Sequence, residues 1–194
     1  MNIRVGAAIA VLTSLGVAVA QTDNPDQITD GEQGVEISSR QADVLTAARR
    51  ALARVRGVAE VSGNRAVIFR PESGANLRYS AIKAALDAGN DSPIVGAPTL
   101  GFNLTVHVVF KSDQVSAEQM PAVIDAMPTH DTLAEITHVS GTTLRLKTAP
   151  WSPRNQRGFR VLDLVNPAAR ATGYRGPGAP TYDRFIEDVI FEPN

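Results

Sequence analysis

One stretch in the first half of the chain decides the fold. It reads ADVLTAARRALARVRGVAEV at positions 42–61, NRAVIFRP at 64–71 and IKAALDAG at 82–89. Apolar residues recur at helical spacing in the first and last of these segments. Two short runs suited to strands lie on either side of Gly63, whose neighbourhood is typical of a tight hairpin turn. The stretch therefore predicts a helix that ends before Gly57, a β-hairpin and a second helix.

Strands are predicted on both sides of this stretch. The residues at 35–38 alternate between apolar and polar, and the β-branched, nearly all apolar run at 103–110 is typical of a central strand. The second helix is expected at 77–88, and the Pro- and Gly-rich residues 90–101 are expected to form a loop. The resulting β-α-β-β-α-β order over 35–110 is a ferredoxin-like core of the α/β (α+β) class. Its predicted core residues are Val44, Leu52, Val67, Phe69, Ile82, Leu86, Val106 and Val108.

A second α-β-β unit is predicted over 111–148, and it shares the strand at 103–110. Ser116 is placed to begin its helix, and two strands joined by a tight turn follow. The residues LAEI at 133–136 are similar to VAEV at 58–61, and in both places a strand, a turn, a strand and a basic residue follow one another. A structural duplication and a chance similarity of two short hairpins both account for this pattern.

The segment 149–194 differs from the rest because six prolines interrupt it. It is predicted to be an irregular tail that wraps the domain. A short strand near 159–165 and a short helix or edge strand near 183–190 are the regular pieces expected within it. Three aromatic residues are expected to pack onto the domain: Trp151, Tyr174 and Tyr182.

The N-terminus has the features of a cleavable signal peptide over 1–20. Arg4 supplies the positive charge, an uncharged apolar run follows, and Ala18 and Ala20 form the small-residue cleavage site. A flexible acidic leader is predicted over 21–34. Because no other long apolar run occurs, the mature protein is expected to be periplasmic or secreted, with no transmembrane segment.

Composition restricts the chemistry. The 194 residues carry a net charge of −1 and 43% of them are hydrophobic, which is typical of a globular protein. There is no cysteine, which excludes thiol catalysis, zinc-thiolate sites and iron–sulfur clusters. The motifs G-x-S-x-G and G-x-G-x-x-G and the phosphate loop are also missing from the sequence. An enzyme with an unrecognised site is therefore only an alternative.

The stretch that decides the fold resembles the heavy-metal-associated domain, the β-α-β-β-α-β module of copper chaperones and metal-pumping ATPases. The resemblance rests on VRGV at 55–58, VIFRP at 67–71 and the helix end LDAG at 86–89. That family binds metal through a CxxC motif at the start of its first helix, where this chain has Gln41 and Val44. Neither side chain binds a soft cation, so that the resemblance implies the fold without the metal site.

A copper site built from other residues is a second alternative. Histidine and methionine side chains bind copper in proteins, and the candidates here are His107, His138 and Met120. The two histidines lie in predicted strands that could be neighbours, but their spacing matches no ligand motif. Met120 and Met127 fall on one helical face, as core methionines do. The main interpretation therefore includes no cofactor.

A basic helical face gives the main functional prediction. Between 40 and 83 the chain has nine basic and three acidic residues. No aromatic residue interleaves with the arginines, which argues against nucleic acid. An acidic protein partner, anionic lipid, the protein's own acidic leader and a merely solvated helix face all remain as explanations. The predicted function is a non-catalytic periplasmic binding or accessory module that acts through this face or through a sheet edge. The candidate partner-binding residues are Arg49, Arg50, Arg54 and Arg56.

The first prediction concerns processing. The exported protein is expected to begin at Gln21, because Ala18 and Ala20 are the small residues that signal peptidases accept. Intact-mass measurement of the exported protein tests this expectation. Retention of residues 1–20 would show instead that the N-terminal segment is an uncleaved anchor.

Overall fold

The structure is a computed structural model that describes residues 28, 33–37, 42–63, 67–88, 95–127, 131–153 and 158–192. Several predictions fall outside these residues. They are the signal peptide over 1–20, almost all of the leader, the position Gln41 and the helix stop at Gly89.

The described residues form ten strands and five α-helices. The first half contains β1 (Gln33–Ile37), α1 (Ala42–Leu52), β2 (Val58–Ser62), β3 (Val67–Pro71), β4 (Leu77–Arg78), α2 (Tyr79–Asp87) and β5 (Val95–Leu100). The second half contains β6 (Thr105–Phe110), α3 (Met120–Asp125), β7 (Leu133–Ser140), β8 (Thr143–Thr148), β9 (Phe159–Arg160), α4 (Val165–Ala171), α5 (Tyr182–Phe185) and β10 (Ile186–Phe191). Two short 3₁₀ helices lead into α3 and α4, Ala117–Gln119 and Val161–Leu164.

The strands form two five-stranded sheets. Their strand orders are β2-β3-β1-β5-β9 and β4-β10-β6-β8-β7. All of the described strand pairs are antiparallel. The protein is therefore a mixed α/β fold of helices and antiparallel sheets, as the α+β class predicts. No helix in the described part of the chain combines the length and apolar character that a membrane span needs.

The same element order builds both sheets. In the first sheet, β1-α1-β2-β3-α2-β5 gives the spatial strand order β5-β1-β3-β2. In the second, β6-α3-β7-β8-α4-β10, with α5 inserted before β10, gives the equivalent order β10-β6-β8-β7. In both, the first strand lies between the third and the last. The described chain is thus an internal structural repeat, which we call repeat 1 (β1 to β5) and repeat 2 (β6 to β10).

The hairpins of the two repeats agree in register. Glu60 pairs with Arg70 in the β2–β3 hairpin, and Glu135 pairs with Lys147 in the β7–β8 hairpin. In each, the register shifts at the alanine just before the glutamate. Because such irregularities are specific local features of a strand pair, the agreement extends the similarity of VAEV and LAEI from sequence to geometry.

Each repeat supplies an edge strand to the sheet of the other. The two-residue strand β4, which directly precedes α2 of repeat 1, pairs with β10 of repeat 2. The two-residue strand β9, which leads through a 3₁₀ helix into α4 of repeat 2, pairs with β5 of repeat 1. The last strand of each repeat therefore gains a partner for its outer backbone groups, which lowers the cost of an open sheet edge.

A buried carboxylate joins the repeats at the start of α2. No side chain at the N-cap position of α2 caps the helix. Instead, the Ser80 backbone N–H donates to Asp188 Oδ1 at 2.9 Å and the Ser80 hydroxyl donates to Oδ2 at 3.0 Å. Arg78 Nη1 lies 3.3 Å from the same carboxylate. Asp188 of β10 thus supplies both the acceptor and the negative charge that a helix N-terminus favours.

The two repeats share one hydrophobic core. Seven of the eight predicted core residues are buried within it, and Val44 packs against it half-buried. Phe69 of repeat 1 meets Phe191 of repeat 2 edge to face, with ring centroids 6.0 Å apart. Tyr79 and Tyr182 make a second such contact between the repeats, at 5.9 Å. Burial across this boundary means that neither repeat completes its core alone.

The prediction for the strand at 103–110 was right about its character and wrong about its sheet. It forms β6, which lies between β10 and β8 in the second sheet and not beside β1. The position next to β1 is taken by β5, which falls in the segment 90–101 that was expected to be a loop. Pro98 lies in β5, but β9 pairs only with Thr99 and Leu100, so that no ladder partner on that side is lost at the proline.

The segment 149–194 is not the predicted irregular tail. It contains β9, α4, α5 and β10, and β10 is an inner strand rather than an edge strand. Tyr182 is buried and Tyr174 packs half-buried against the core, as expected, whereas Trp151 is 41% exposed. Two helix boundaries also differ, since α1 ends at Leu52 and the first two residues predicted for the second helix form β4.

Asp188→Ala is expected to lower the free energy of unfolding by about 2–3 kcal/mol, because it leaves the Ser80 N–H and the start of α2 without an acceptor. Chemical denaturation measures the loss. Glu187→Ala, at the neighbouring exposed position of β10, is the control and should change stability by less than about 0.5 kcal/mol. Equal losses in the two variants would show that the carboxylate does not cap α2.

Candidate functional site

The helix α1 positions the candidate arginines. It buries Leu45, Ala48 and Leu52 in the core, which directs the basic residues away from the core. Arg49 is half-buried and its Nη1 donates to the Gly63 carbonyl at 2.8 Å. Gly63, the residue directly after β2, is thereby tied to α1. Arg49 therefore has a structural role, and the structure separates it from the other three arginines.

Arg50, Arg54 and Arg56 are exposed, and we call them the α1 arginine group. Arg50 lies in the last turn of α1, and the other two lie in the turns that connect the helix to β2. None of the three side chains makes a hydrogen bond or an ion pair with another described residue. Elsewhere in the described chain, basic side chains contact specific acids: Arg78–Asp188, Lys83–Asp183, Arg145–Glu192 and Arg160–Asp163.

The backbone around the α1 arginine group is fixed by Gly57. Its φ is +92°, and a Cβ there would lie 3.2 Å from the Ala75 Cβ, so that a side chain would be both strained and crowded. The Gly57 carbonyl accepts from the Glu72 N–H at 2.7 Å. An open cavity of about 450 Å³ is lined by both Arg56 and Glu72.

A charged network covers the polar face of the second sheet. Arg145 of β8 donates through Nε and Nη2 to Glu192 at 2.7 and 3.1 Å. His107 Nε2 lies 2.8 Å from the same carboxylate. Hydrogen bonding from Arg145, with a further contribution from His107, holds the pKa of Glu192 below its ordinary value. The same pair raises the pKa of Arg145. These groups satisfy one another and tie β8, β6 and the end of β10 together.

The structure does not bring the three candidate copper ligands together. Met120 is fully buried in the core, while His107 lies on the opposite, polar face of the sheet with Glu192. The exposed His138 ring contacts the Gly141 carbonyl at 2.9 Å in its own hairpin turn. Among the described residues, no group of three or more His, Cys, Asp or Glu side chains is arranged to hold a metal ion.

A cleft between α2 and β10 was not anticipated from the sequence. Its cavity of about 440 Å³ brings together Tyr79, Lys83, Lys111, Tyr182 and Asp183, among others. Lys83 Nζ lies 2.6 Å from the Asp183 carboxylate, and Lys111 Nζ donates to the Asp183 carbonyl at 2.6 Å. Burial is the main cause that raises the pKa of both tyrosines. The Lys83–Asp183 ion pair ties the two repeats together, whereas Asp87, which also lines the cleft, has a buried Oδ1 without a hydrogen-bond partner among the described residues.

One long strand ends the second sheet. β7 has eight residues, it is the terminal strand of its sheet, and in the described structure it pairs with β8 alone. Most of its side chains are exposed, and Val139 is 50% exposed. Two register shifts interrupt its pairing with β8, which is one way that proteins protect a sheet edge. The sheet edge in the functional prediction corresponds best to this strand.

Comparison with known proteins gives no identification. No protein family model, no curated protein and no solved structure matches the chain. The functional argument therefore depends on the residues and contacts described above.

Glu192→Gln is expected to destabilise the protein at neutral pH, by an amount that shrinks in acid. Because Arg145 holds the pKa of Glu192 below 4.5, the carboxylate stabilises the fold fully above that pH and loses this contribution as the pH falls through the lower folded-state value. Urea denaturation from about pH 7 to about pH 3 measures the difference between variant and wild type. In an Arg145→Gln background the same substitution should show much less pH dependence; an unchanged dependence would contradict the assigned cause.

Proposed function

We propose that the protein is an exported, non-catalytic periplasmic binding or accessory module that recognises an acidic protein partner through Arg50, Arg54 and Arg56. The single observation that carries the proposal concerns the exposure and the ion pairing of these three arginines. They are exposed and without an ionic partner among the described residues, whereas Arg78, Arg145 and Arg160 each contact a carboxylate. Solvation alone explains their stability at the surface but not their clustering.

The framework proposed for this module is a pair of ferredoxin-like units. The support is the shared element order and the equivalent strand orders β5-β1-β3-β2 and β10-β6-β8-β7. Repeat 1 is the one that resembles the heavy-metal-associated domain, with β5 in place of the strand expected last. Since Gln41 and Val44 stand at the positions of the family's thiolates, we infer that the unit serves recognition rather than metal transfer.

Arginine side chains on a fixed helix end suit recognition of carboxylates. The planar guanidinium presents paired donors that match a carboxylate, and it keeps its charge at any physiological pH. The attachment of α1 to the core through Leu45, Ala48 and Leu52 limits the backbone freedom lost on binding. Exposed charges of this kind act mainly on the association rate and are screened over about 8 Å at physiological salt. The proposed interaction should therefore weaken with salt.

Export is part of the proposal and is supported by the sequence of the first twenty residues. The charged start, the apolar run and the Ala18-Val19-Ala20 site together have the order found in signal peptides. The absence of cysteine is compatible with a domain that relies on its hydrophobic core instead of disulfides.

The β7 edge supports a second candidate surface for the same class of function. An extended partner segment could pair with the outer backbone groups of this terminal strand, as in β-strand addition. Such binding rests on backbone hydrogen bonds, so that it should respond little to salt and not at all to substitutions in the α1 arginine group. Those two responses separate the candidates.

The charge-reversed variant Arg50→Glu, Arg54→Glu is expected to lose the acidic partner. Quantitative pull-down of the tagged protein from its native exported fraction should show at least a roughly ten-fold loss of the partner that wild type releases at high salt. Lys147→Glu, Arg175→Glu makes the same charge change at exposed positions in repeat 2 whose side chains have no ion pair with another described residue, and it should retain the partner. An unchanged set of partners in the first variant would remove the α1 arginine group from the function.

A further inference from the structure

The connection between α4 and α5 borders an open cavity that is separate from the α1 arginine group. Its volume is about 680 Å³, and its lining includes Asn166, Arg170, Tyr174, Arg175 and Gly176. The connection belongs to repeat 2, where the sequence had predicted irregular tail. Nothing in the proposed function uses it.

The chain leaves helix α4 beside this cavity in a fixed backbone conformation. The Gly173 N–H donates to the Arg170 carbonyl at 3.1 Å, and the Tyr174 N–H donates to the Ala169 carbonyl at 2.9 Å. Gly173 has a φ of +64°, the left-handed conformation that commonly ends helices. The backbone of the connection is thus fixed at its first residues.

Tyr174 then fixes the middle of the connection. Its ring meets Phe185 edge to face at 5.4 Å, and the Arg184 guanidinium lies over it at 5.1 Å from the centroid. Its hydroxyl donates to the Pro177 carbonyl at 3.4 Å. A Cβ at Gly176 would come within 2.4 Å of the Tyr174 ring, so that only glycine lets the loop fold back on this side chain. The cavity is therefore preformed rather than a gap in a loose loop.

The charge of the cavity lining has one sign. Residues 166–180 contain Arg170 and Arg175 and no acidic residue. Arg170 uses Nη2 to donate to the Ala126 carbonyl at 3.2 Å, which orients its guanidinium and leaves its other donors available. Arg175 has no hydrogen bond or ion pair with another described residue. The Asn166 side chain adds a neutral amide to the lining.

We propose that this cavity is a binding site for the oxyanion group of a small molecule, a phosphate or a carboxylate, held between Arg170 and Arg175. Guanidinium groups bind both kinds of oxyanion through paired, charge-assisted hydrogen bonds. The proposal is independent of the α1 arginine group, and either can fail without the other.

The test is a titration of the purified ¹⁵N-labelled protein, followed through the backbone amide resonances. One arm uses inorganic phosphate and the other uses citrate, each compared with sodium chloride at matched ionic strength. Saturable shifts at Gly173, Arg175, Gly176 and Gly178 in one arm or both are expected, and the stronger arm identifies the kind of oxyanion. Shifts that chloride reproduces, or that do not saturate, would overturn the proposal.

Variants give the decisive comparison. Arg170→Gln, Arg175→Gln is expected to weaken oxyanion binding by at least roughly ten-fold, the equivalent of losing charge-assisted hydrogen bonds. Lys147→Gln, matched to the single Arg175→Gln variant, removes one positive charge at an exposed position outside both proposed sites and should bind as wild type does. If the first variant fails to fold because Arg170 also contacts Ala126, the single Arg175→Gln variant decides. Binding retained in the folded variant, or lost equally in the control, would refute the assignment.

Discussion

The structure depends on an exchange in which each repeat supplies an edge strand to the sheet of the other. The last strand of each repeat would expose its outer backbone groups, and a two-residue strand from the other repeat covers them, β4 on β10 and β9 on β5. The Asp188 carboxylate reinforces the first of these contacts by accepting from Ser80 at the start of α2. Sheet edges are costly to leave open, and a helix N-terminus favours a nearby carboxylate, so that both requirements are met at one boundary. The shared core and the Tyr79–Tyr182 contact follow from the proximity that this exchange imposes.

Individual helices and strands could be predicted from the sequence, whereas the pairing of the strands could not. Hydrophobic periodicity identified α1, both hairpins and the β-branched strand β6, because the pattern of burial along one element follows from the sequence of that element. It could not say that β6 pairs with β10 rather than with β1, since strand partners are chosen by contacts distant in sequence. The strand β5 was missed because Gly96 and Pro98 are typical of loops, and the open side of β5 at Pro98 makes the proline acceptable.

The helices and strands in the C-terminal half of repeat 2 were not recognised in the sequence because of the prolines there. Pro167 lies in the first turn of α4, where its missing N–H breaks no helical hydrogen bond, although it was taken as an interruption.

The candidate sites show the same limit of sequence-based prediction. Arg49 and Arg50 are adjacent and identical in sequence, yet only Arg49 reaches the Gly63 carbonyl. His107 was predicted as a candidate copper ligand, and its contact with Glu192 depends on a residue 85 positions away. Such distinctions follow from tertiary contacts, which residue type and spacing do not encode.

The contacts of the arginines distinguish those that stabilise the fold from those that are available for binding. Arg49, Arg78 and Arg145 each contact a backbone carbonyl or a carboxylate, so that the fold itself accounts for their positions. The α1 arginine group and Arg175 make no such contact with the described residues, and an exposed, solvated charge contributes little to stability. The net charge of the whole chain is only −1, so that a distant partner experiences almost no overall attraction. Within the screening distance of about 8 Å, however, a partner experiences mainly the charges closest to it, which here include the local guanidinium groups. Recognition by these residues would therefore operate at contact range, where the shape and hydrogen-bonding geometry of the carboxylate or phosphate decide what binds.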